Sequence, residues 1–327
     1  MDRFASRAQL RRRSGRWRRE RSSCSDSIER LRAIRVVRHG APLIEQDVAD
    51  PQPRSGEVLI DIRAAGICHS DAHYCSQPGR ISLPRTLGHE IAGVIAGTSK
   101  RVAVHYLMPN GDMIGKEVDG GYAEKIVVPA ENAIPIPDHI SFEQAAIMMC
   151  STATAYHALR LGSFHRNELL AILGFGGLGI SALELAGRLG AAGVYVAERV
   201  PEKLALAAEL GATPGLPEGV DVALDFVGDS GLCLKALRAL RPGGRLVLVA
   251  INLREFHFDA YADVLAKERR IIGCSDHTRE ELTELMEMYL DLSRAITRRV
   301  PLDDKAINDV LGDLELGTPH LRAIITI

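Results

Sequence analysis

The chain has 327 residues, of which 46% are hydrophobic and 25% are charged, and its formal net charge at pH 7 is −2. This length predicts two domains, and the composition is typical of a globular protein in water. The sequence contains no run of about eighteen apolar residues, which excludes a membrane-spanning helix. The small net charge excludes a general attraction to nucleic acid or to anionic lipid.

Positive charge is concentrated at the beginning of the chain, in Arg11–Arg13, Arg16, Arg18 and Arg19. Few apolar residues accompany these arginines, and we therefore predict a disordered arm over residues 1–30. The arm lacks the apolar segment of an export signal, and a start codon assigned too far upstream is an alternative explanation. The six cysteines lack the regular spacing of a disulfide framework, which favours a reducing compartment and a cytoplasmic protein.

The first part of the chain reads as short β-strands. Apolar and β-branched residues bounded by turns predict strands at residues 33–37, 57–63, 91–96, 101–107 and 122–128. Together they predict a compact β-rich barrel.

Beyond Cys150 the pattern changes to alternating strands and helices, which is typical of a parallel sheet with crossover helices. Strands are predicted at residues 169–173, 194–197, 222–227, 245–250 and 271–273, and helices at residues 178–189, 202–210, 232–240 and 279–292. Ser141 is expected to cap a helix over residues 144–149 that Cys150 ends. Residues 212–219 are too few and too broken for a strand plus a helix, so one crossover is expected to be abbreviated.

The fold class is therefore α/β, with two domains. We assign residues 31–151 and 277–327 to the β-rich domain, since the parallel sheet already has its strands without the last segment, residues 321–327. Residues 152–276 are assigned to a doubly wound parallel sheet.

A glycine-rich turn, Gly174-Phe175-Gly176-Gly177-Leu178-Gly179, follows an apolar strand and opens a helix. This is the setting of a dinucleotide fingerprint: Gly174 permits the tight turn, Gly176 lets the backbone approach a pyrophosphate, and Gly179 lets helix and strand pack closely. The start of the helix offers unpaired N–H groups to the phosphates. A merely Gly-rich turn is the alternative.

Glu198 lies about twenty residues further on, at the end of the second strand of this unit. A carboxylate there accepts hydrogen bonds from ribose hydroxyls and repels a 2′-phosphate, which favours NAD over NADP. The adjacent Arg199 is suited to stacking on adenine or attracting a phosphate. An exposed charge at a strand end is the alternative for Glu198.

Cys68, His89 and Cys150 each lie at the end of a predicted strand or helix in the first domain. Two thiolates and a neutral imidazole balance Zn²⁺ and leave one position for a substrate oxygen, as in catalytic zinc sites. Glu90 is expected to act as an electrostatic neighbour or as an occasional ligand. Taken singly, each of these residues also fits an ordinary structural role.

The polar turn around Cys68 supplies further reactive groups. Ser70 is placed to take an alcohol proton and pass it, through the cofactor ribose, to His73 and solvent. Asp71 is expected to orient a ligand imidazole. A turn cap is the alternative for Ser70 and Asp71, and a surface position is the alternative for His73.

The motifs Gly66-Ile67-Cys68-His69-Ser70-Asp71-Ala72-His73, Gly88-His89-Glu90, Cys150 before Thr154, and the glycine-rich turn occur in an order that resembles the zinc-dependent medium-chain alcohol dehydrogenases. The resemblance covers residues 34–327. It implies a GroES-like catalytic domain, a Rossmann domain and NAD in the cleft between them. It also implies Cys68, His89 and Cys150 as zinc ligands, His69 as a contact to the pyrophosphate, Thr154 as a contact to the nicotinamide, and Tyr106 in the substrate pocket.

The chain departs from this family where four close cysteines would form a second zinc site, since Met108-Pro109-Asn110-Gly111-Asp112-Met113 contains none. We therefore expect one catalytic zinc and no structural zinc. The expected function is reversible hydride transfer between a primary or secondary alcohol and NAD, giving an aldehyde or ketone, in a homodimer or homotetramer.

Several alternatives remain open at this point. A polyol or sugar dehydrogenase would use the same site with a more polar pocket, and a zinc-free quinone or enoyl reductase would not need Cys68, His89 and Cys150 together. A catalytically degenerate dinucleotide-binding protein would bind cofactor without turnover. An RNA-binding role of the arginine arm would give salt-sensitive binding that disappears with residues 1–21.

Overall fold

The computed structural model describes residues 30–251, 255–317 and 321–327. Apart from Arg30, which begins the first strand, the predicted arm lies outside the described residues. None of the helices in these ranges combines the length and the apolar character needed to span a membrane.

The strands and helices follow in chain order. The strands are β1 (Arg30–Val36), β2 (Ile44–Ala49), β3 (Glu57–Ile67), β4 (Arg85–Thr86), β5 (Glu90–Ile95), β6 (Arg101–Val104), β7 (Lys125–Pro129), β8 (Ala133–Pro135), β9 (Leu169–Leu173), β10 (Gly193–Ala197), β11 (Thr213–Pro214), β12 (Val220–Asp225), β13 (Leu240–Leu248), β14 (Arg270–Gly273), β15 (Ile296–Pro301) and β16 (Arg322–Thr326). The helices are α1 (His69–Ser76), α2 (Phe142–Ile147), α3 (Ala153–Leu161), α4 (Gly177–Leu189), α5 (Pro201–Glu209), α6 (Ser230–Ala239), α7 (Arg279–Glu287) and α8 (Asp304–Leu316).

These strands form three sheets. A three-stranded sheet has the order β2-β1-β4, and a mainly antiparallel sheet has the order β15-β16-β3-β5-β6-β8, with β7 also paired to β3. The third sheet is parallel, with the order β11-β10-β9-β12-β13-β14. This is the doubly wound order, in which ligands bind beyond the carboxyl ends of the strands where the order reverses. The predicted α/β fold, a β-rich unit followed by a doubly wound sheet, is confirmed.

The main hydrophobic core joins the two larger sheets. It combines Ala64 of β3 and Ala92 of β5 with Leu170 and Ile172 of β9, and buried residues of α2, α3 and α4 fill the space between them. Since small alanines face the helices from β3 and β5, helix and sheet approach closely. The β-rich unit and the parallel sheet therefore share one packed interior.

Several sequence-based predictions of elements were wrong in detail. Cys150 does not end a helix: it lies in a π-helical turn, Met148–Thr152, which connects α2 to α3. The expected abbreviation of the crossover after α5 is confirmed, since the segment contains only the two-residue β11 and no helix before β12. The helix predicted over residues 279–292 ends at Glu287.

The region before the last strand also differs from expectation. There, β15 and α8 were not predicted from the sequence, and neither was α3 earlier in the chain. The last segment does join the β-rich unit, as expected, because β16 pairs with β3.

Candidate active site

Cys68, His89, Glu90 and Cys150 come together in the folded chain. One donor atom from each lies within 4.8 Å of the donor atoms of the other three. No other group of three or more such side chains clusters in this way in the part of the chain that the structure describes. The cluster is largely enclosed, since Cys68 is 5% exposed and His89 is 4% exposed.

Strand register brings these residues together from distant parts of the chain. In the antiparallel pairing of β3 with β5, Gly66 lies opposite Glu90. Cys68 follows β3 as the N-cap residue of α1, and His89 directly precedes β5. The wider π-helical turn presents Cys150, and such turns are frequent at functional sites.

The buried Asp71 contacts two of the four donor residues, Cys68 and His89. Its Oδ2 atom accepts hydrogen bonds from the backbone N–H of Cys68 at 2.9 Å and from the hydroxyl of Tyr122 at 2.7 Å. Its Oδ1 atom lies 3.4 Å from Nδ1 of His89. Because Nδ1 faces Asp71, Nε2 is the nitrogen of His89 that is available to a metal.

Gly88 fixes the path of the backbone into His89. It has a φ of +92°, and a Cβ atom there would lie 2.4 Å from the ring of Tyr122. Only glycine combines this left-handed conformation with such a close approach. The Gly88-His89 sequence therefore lets the backbone pass close to Tyr122 while the imidazole of His89 reaches Asp71.

The protonation of the donors follows from their surroundings. A hydrogen bond from Cys150 and the nearby His89 lower the pKa of Cys68 well below its usual value, while the same pairing and burial raise the pKa of Cys150. Burial favours a neutral His89, but Asp71 and Cys68 outweigh this effect and raise its pKa to about 10. Without a metal, these shifts favour the thiolate form of Cys68 and the protonated form of His89.

Glu90 forms a buried ion pair with Arg322, the first residue of β16. Its other oxygen, Oε2, has no hydrogen-bond partner among the described residues. A Cβ atom on Gly66 would overlap this carboxylate, so the glycine makes room for it. The role of Arg322 was not predicted from the sequence, because only the pairing of β16 with β3 brings this residue to the site.

The donor set fits a zinc ion. Two cysteine sulfurs and a histidine nitrogen are the ligands that zinc prefers, and a carboxylate oxygen is the next most common one. A buried carboxylate oxygen without a partner beside two thiols is costly unless a cation neutralises it. Cys68, His89 and Cys150, with Glu90 at the edge, are therefore the residues that would hold the ion.

Helix α1 carries the polar residues of the predicted relay next to the cluster. Ser70 is partly buried, and its Oγ atom lies 3.7 Å from Sγ of Cys68. His69 and His73 lie one turn apart, with ring centroids separated by 5.3 Å. Burial and the neighbouring His73 lower the pKa of His69. Lys203 also lowers the pKa of His69, so these two side chains lie within electrostatic range of each other.

The glycine-rich turn has the expected context. Gly174 follows β9 with a φ of +89°, Gly176 is the N-cap of α4, and a Cβ atom on Gly179 would lie 2.4 Å from the carbonyl oxygen of Gly174. Gly177 and Leu178 form the first turn of α4. The N–H groups at this end of the helix are oriented to bind an anion.

Glu198 directly follows β10 and is hydrogen-bonded to the glycine-rich turn. Its carboxylate accepts hydrogen bonds from the backbone N–H groups of Phe175 at 2.8 Å, Arg199 at 2.7 Å and Val200 at 2.9 Å. A carboxylate has about four acceptor positions, so capacity remains for a further donor. Lys203 in α5 lies close enough to Glu198 to affect its own pKa, which burial lowers and Glu198 raises. The sequence analysis missed Lys203.

Two contacts connect the Cys68-His89-Glu90-Cys150 donor group to the glycine-rich turn. These two features are called the metal cluster and the cofactor turn below. Thr152 and Ser181 share a hydrogen bond of 3.1 Å that ties the start of α3, where Thr154 lies partly buried, to α4. Arg322 packs against Gly177, where a Cβ atom would lie 2.2 Å from Cδ of the arginine. The guanidinium group thus contacts Glu90 on one side and the first residue of α4 on the other.

Tyr106 borders the same cluster through its contact with His89. Its ring lies edge-on to His89, with centroids 5.4 Å apart, and its hydroxyl donates a hydrogen bond of 3.0 Å to Asp276. Burial, followed by Cys150 and Asp276, raises the pKa of Tyr106. His277 lies against the same ring. Neither Asp276 nor His277 was identified from the sequence, since nothing in the segment after β14 indicates that it approaches Tyr106.

Two family models match the chain. A model described as an alcohol dehydrogenase GroES-like domain matches residues 54–138, and one described as a zinc-binding dehydrogenase matches residues 177–291. The first contains Cys68, His89 and Glu90, and the second begins within the glycine-rich turn.

The chain is similar to several proteins named as alcohol dehydrogenases or probable alcohol dehydrogenases. It is 30% identical to an NAD-dependent alcohol dehydrogenase of Sulfurisphaera tokodaii, over 74% of this chain and 77% of that protein. It is also 30% identical to a probable zinc-binding alcohol dehydrogenase of Mycobacterium tuberculosis, over 84% of each chain. The crystal structure of the alcohol dehydrogenase of Aeropyrum pernix matches with a TM-score of 0.79 at 28% identity, covering 91% of this chain and 100% of that one.

Proposed function

The chain belongs to the zinc-dependent medium-chain alcohol dehydrogenase family, and from this premise we propose that it oxidises a primary or secondary alcohol to an aldehyde or ketone with NAD. The reaction transfers a hydride from the alcohol carbon to the nicotinamide and releases the hydroxyl proton. The observation that carries the proposal is the enclosed Cys68-His89-Glu90-Cys150 cluster, which Arg322 links directly to the glycine-rich turn.

Zinc would supply Lewis acidity at this cluster, lowering the pKa of an alcohol hydroxyl, and NAD would supply the hydride acceptor. The chain's own residues prepare the site for both. Asp71 holds His89 with Nε2 available, and the backbone N–H of Cys68 is fixed by the same carboxylate. The ion pair of Glu90 with Arg322 limits the negative charge that two thiolates and a carboxylate would otherwise accumulate.

Ser70 is the proposed first acceptor of the alcohol proton. It is the hydroxyl group next to Cys68, and the partly buried His73 lies three residues further along α1. We assign His73 the final transfer of the proton to solvent; a bound cofactor ribose would supply hydroxyl groups for the transfer from Ser70. A hydroxyl relay suits this position because it moves a proton without adding charge beside the metal donors.

NAD is preferred over NADP because of Glu198. Its carboxylate lies beside the N–H of Phe175 in the cofactor turn, where a 2′-phosphate would meet its negative charge. Lys203 is suited to bind the ribose hydroxyls from the opposite side, and the exposed Arg199 is suited to stack on adenine. We propose that Thr154 and His69 contact the nicotinamide and the pyrophosphate, and that Tyr106 lines the substrate pocket.

The central test is Cys68→Ala, with Cys75→Ala as the matched control. Cys75 lies on the same helix, outside the cluster. We expect Cys68→Ala to lose zinc, measured by mass spectrometry of metals, and alcohol oxidation, measured as NADH absorbance at about 340 nm. It should still bind NADH in a fluorescence titration, since the nucleotide turn is on the parallel sheet. Retained alcohol oxidation in Cys68→Ala would reject the mechanism, whereas NADH binding without turnover in the wild type would favour a degenerate binding protein.

The domain boundaries after residues 30, 151 and 276, the cytoplasmic location and the homodimeric or homotetrameric assembly stay predictions. Light scattering of the purified chain tests the assembly directly. A monomer at micromolar concentration would contradict it.

A further inference from the structure

Two histidines outside the metal cluster are buried without hydrogen-bond partners. His277 is 4% exposed and His105 is 8% exposed. Both ring nitrogens of His277 and Nε2 of His105 lack a partner among the described residues. Buried imidazole nitrogens are normally paired, so three unpaired nitrogens in one place need an explanation.

Tyr106 separates these imidazoles from the candidate metal donor His89. The His277 ring is edge-on to the Tyr106 ring at a centroid distance of 5.1 Å, and the His105 ring is 5.3 Å from His277. Tyr106 in turn lies 5.4 Å from the metal donor His89. A row of rings therefore leads from the metal cluster to the unpaired nitrogens.

The neighbouring backbone is held in place by specific contacts. Asn132 donates hydrogen bonds of 2.7 Å to the carbonyl oxygens of His105 and Leu107, on either side of Tyr106. Asp276, which accepts the Tyr106 hydroxyl, has a φ of +53°, a left-handed conformation that is uncommon outside glycine. These contacts fix the segments that carry the two imidazoles, so their unpaired nitrogens do not result from loose packing.

The chemistry of a neutral imidazole limits what it binds. Burial, with the nearby His105, lowers the pKa of His277 to about 3, and burial with Arg279 lowers the pKa of His105. Each ring therefore offers one N–H donor and one nitrogen acceptor at neutral pH. A hydroxyl group is also both donor and acceptor, whereas a carboxylate or phosphate only accepts. The pair of imidazoles thus matches a neutral hydroxyl group.

We infer that His277 determines substrate specificity by hydrogen-bonding a second hydroxyl group of the alcohol, so that the enzyme takes diols and polyols in preference to simple alcohols. This inference rests on the proposed function. The reaction itself is unchanged: one carbinol gives a hydride to NAD⁺ and a proton to solvent, and the second hydroxyl group stays intact in the hydroxyketone product.

The test compares 2,3-butanediol with 2-butanol, which has the same carbon chain and lacks one hydroxyl group. We expect the wild type to oxidise the diol with a kcat/KM at least about tenfold higher. His277→Phe keeps a ring of similar size but removes both nitrogens, so its kcat/KM for the diol should fall about tenfold while that for 2-butanol changes less than about twofold. His277→Gln keeps a donor and an acceptor and should restore most of the preference.

His139→Phe is the matched control, since His139 is an exposed histidine stacked on Tyr289 away from the site, with ring centroids 4.4 Å apart. It should leave the ratio of the two kcat/KM values unchanged. As a second measurement, calorimetric titration of the enzyme–NADH complex with 2,3-butanediol should show binding that His277→Phe weakens.

The outcomes separate the inference from the proposed function. Equal kcat/KM values for diol and 2-butanol in the wild type, or a His277→Phe variant that retains the preference, would overturn the inference alone. If neither alcohol is oxidised with NAD, the proposed function fails and the inference fails with it. Should His277→Phe not fold, His277→Leu, which also removes both ring nitrogens, provides the same comparison of ratios.

Discussion

At the residue scale, the buried carboxylate of Asp71 organises the metal cluster. It contacts Cys68, His89 and Tyr122, although only Cys68 is close to it in sequence. Such outer contacts fix the orientation of a ligand imidazole and are commonly worth a factor of about 10 to 100 in metal affinity. On the proposed function, the zinc affinity would therefore depend on a residue that is not one of the four donors.

Tyr122→Phe tests this dependence without changing the shape of the interior. The variant removes the 2.7 Å hydrogen bond to Asp71 and keeps the ring that packs against Gly88. We expect the zinc affinity to fall about tenfold in a chelator competition, because Asp71 then holds His89 less firmly. Tyr74→Phe, which changes a partly buried tyrosine on α1, is the control. An unchanged zinc affinity in Tyr122→Phe would contradict this role of Asp71.

Ser70→Ala tests the proton relay. Since the hydroxyl lies 3.7 Å from Sγ of Cys68 and is not a member of the donor cluster, the variant should retain zinc. Its kcat for alcohol oxidation should fall about 100-fold, with a changed pH–rate profile, because proton removal loses its first acceptor. Ser76→Ala on the same helix, where the hydroxyl bonds to the carbonyl oxygen of Ala72, should behave as the wild type. A wild-type pH–rate profile for Ser70→Ala would exclude the relay.

At the element scale, the start of α4 has to approach β9 closely. A Cβ atom on Gly179 would lie 2.4 Å from a backbone oxygen, which side-chain rotation cannot relieve. Gly179→Ala should therefore displace the helix, weaken NADH binding at least about tenfold and lower the thermal unfolding midpoint. Fluorescence titration and thermal unfolding measure the two effects.

Gly187 on the same helix provides the control, because nothing lies within 4 Å of a Cβ atom at that position. Gly187→Ala should leave NADH binding unchanged and stabilise the protein by up to about 1 kcal/mol, since alanine favours helix over glycine. If both variants bind NADH as the wild type does, close packing at Gly179 is not needed for the cofactor site.

The sequence predicted elements well where a local pattern was strong. The apolar run of β9 and the glycine-rich start of α4 were both predicted within one residue of their observed bounds. The short β11 was missed because a two-residue strand has no periodicity, and its existence depends on pairing with β10. The π-helical turn around Cys150 was likewise missed, since apolar spacing does not distinguish it from an ordinary helix end.

The sequence also identified the residues that the fold brings together in the metal cluster, because cysteine and histidine at element ends are informative. Arg322, Asp276 and His277 carried no such signal. Their positions depend on the pairing of β16 with β3 and on the return of the chain after β14, which are long-range features of the fold. A charged residue at the start of a strand is in most proteins an exposed one.

At the scale of the whole molecule, the candidate site lies where the β-rich unit meets the parallel sheet. Cys68 and Glu90 come from the first, the cofactor turn from the second, and Arg322 contacts both. The shared hydrophobic core below the site makes separate unfolding of the two halves unfavourable. We therefore expect buried ionisable groups at this junction to influence the stability of the entire chain.

The buried His277 predicts how the free energy of unfolding changes with pH. Burial lowers its pKa in the folded protein to about 3 from an ordinary value of 6.5, so between these values the unfolded chain binds a proton that the folded chain does not. The contribution of the neutral His277 ring to the free energy of unfolding is thus fully present above about pH 6.5 and is lost as the pH falls toward 3. From pH 7 to pH 5 this one group should remove about 2 kcal/mol from the free energy of unfolding.

Urea unfolding of wild type and His277→Phe at pH 7 and pH 5 measures the difference. The phenylalanine variant should lose about 2 kcal/mol less than the wild type over this interval, because it has no imidazole to protonate in the unfolded state. His139→Phe removes an exposed histidine and should keep the wild-type dependence. Equal losses in the wild type and His277→Phe would mean that the folded protein binds a proton at His277 as readily as the unfolded chain does, so burial would not lower the pKa of this ring.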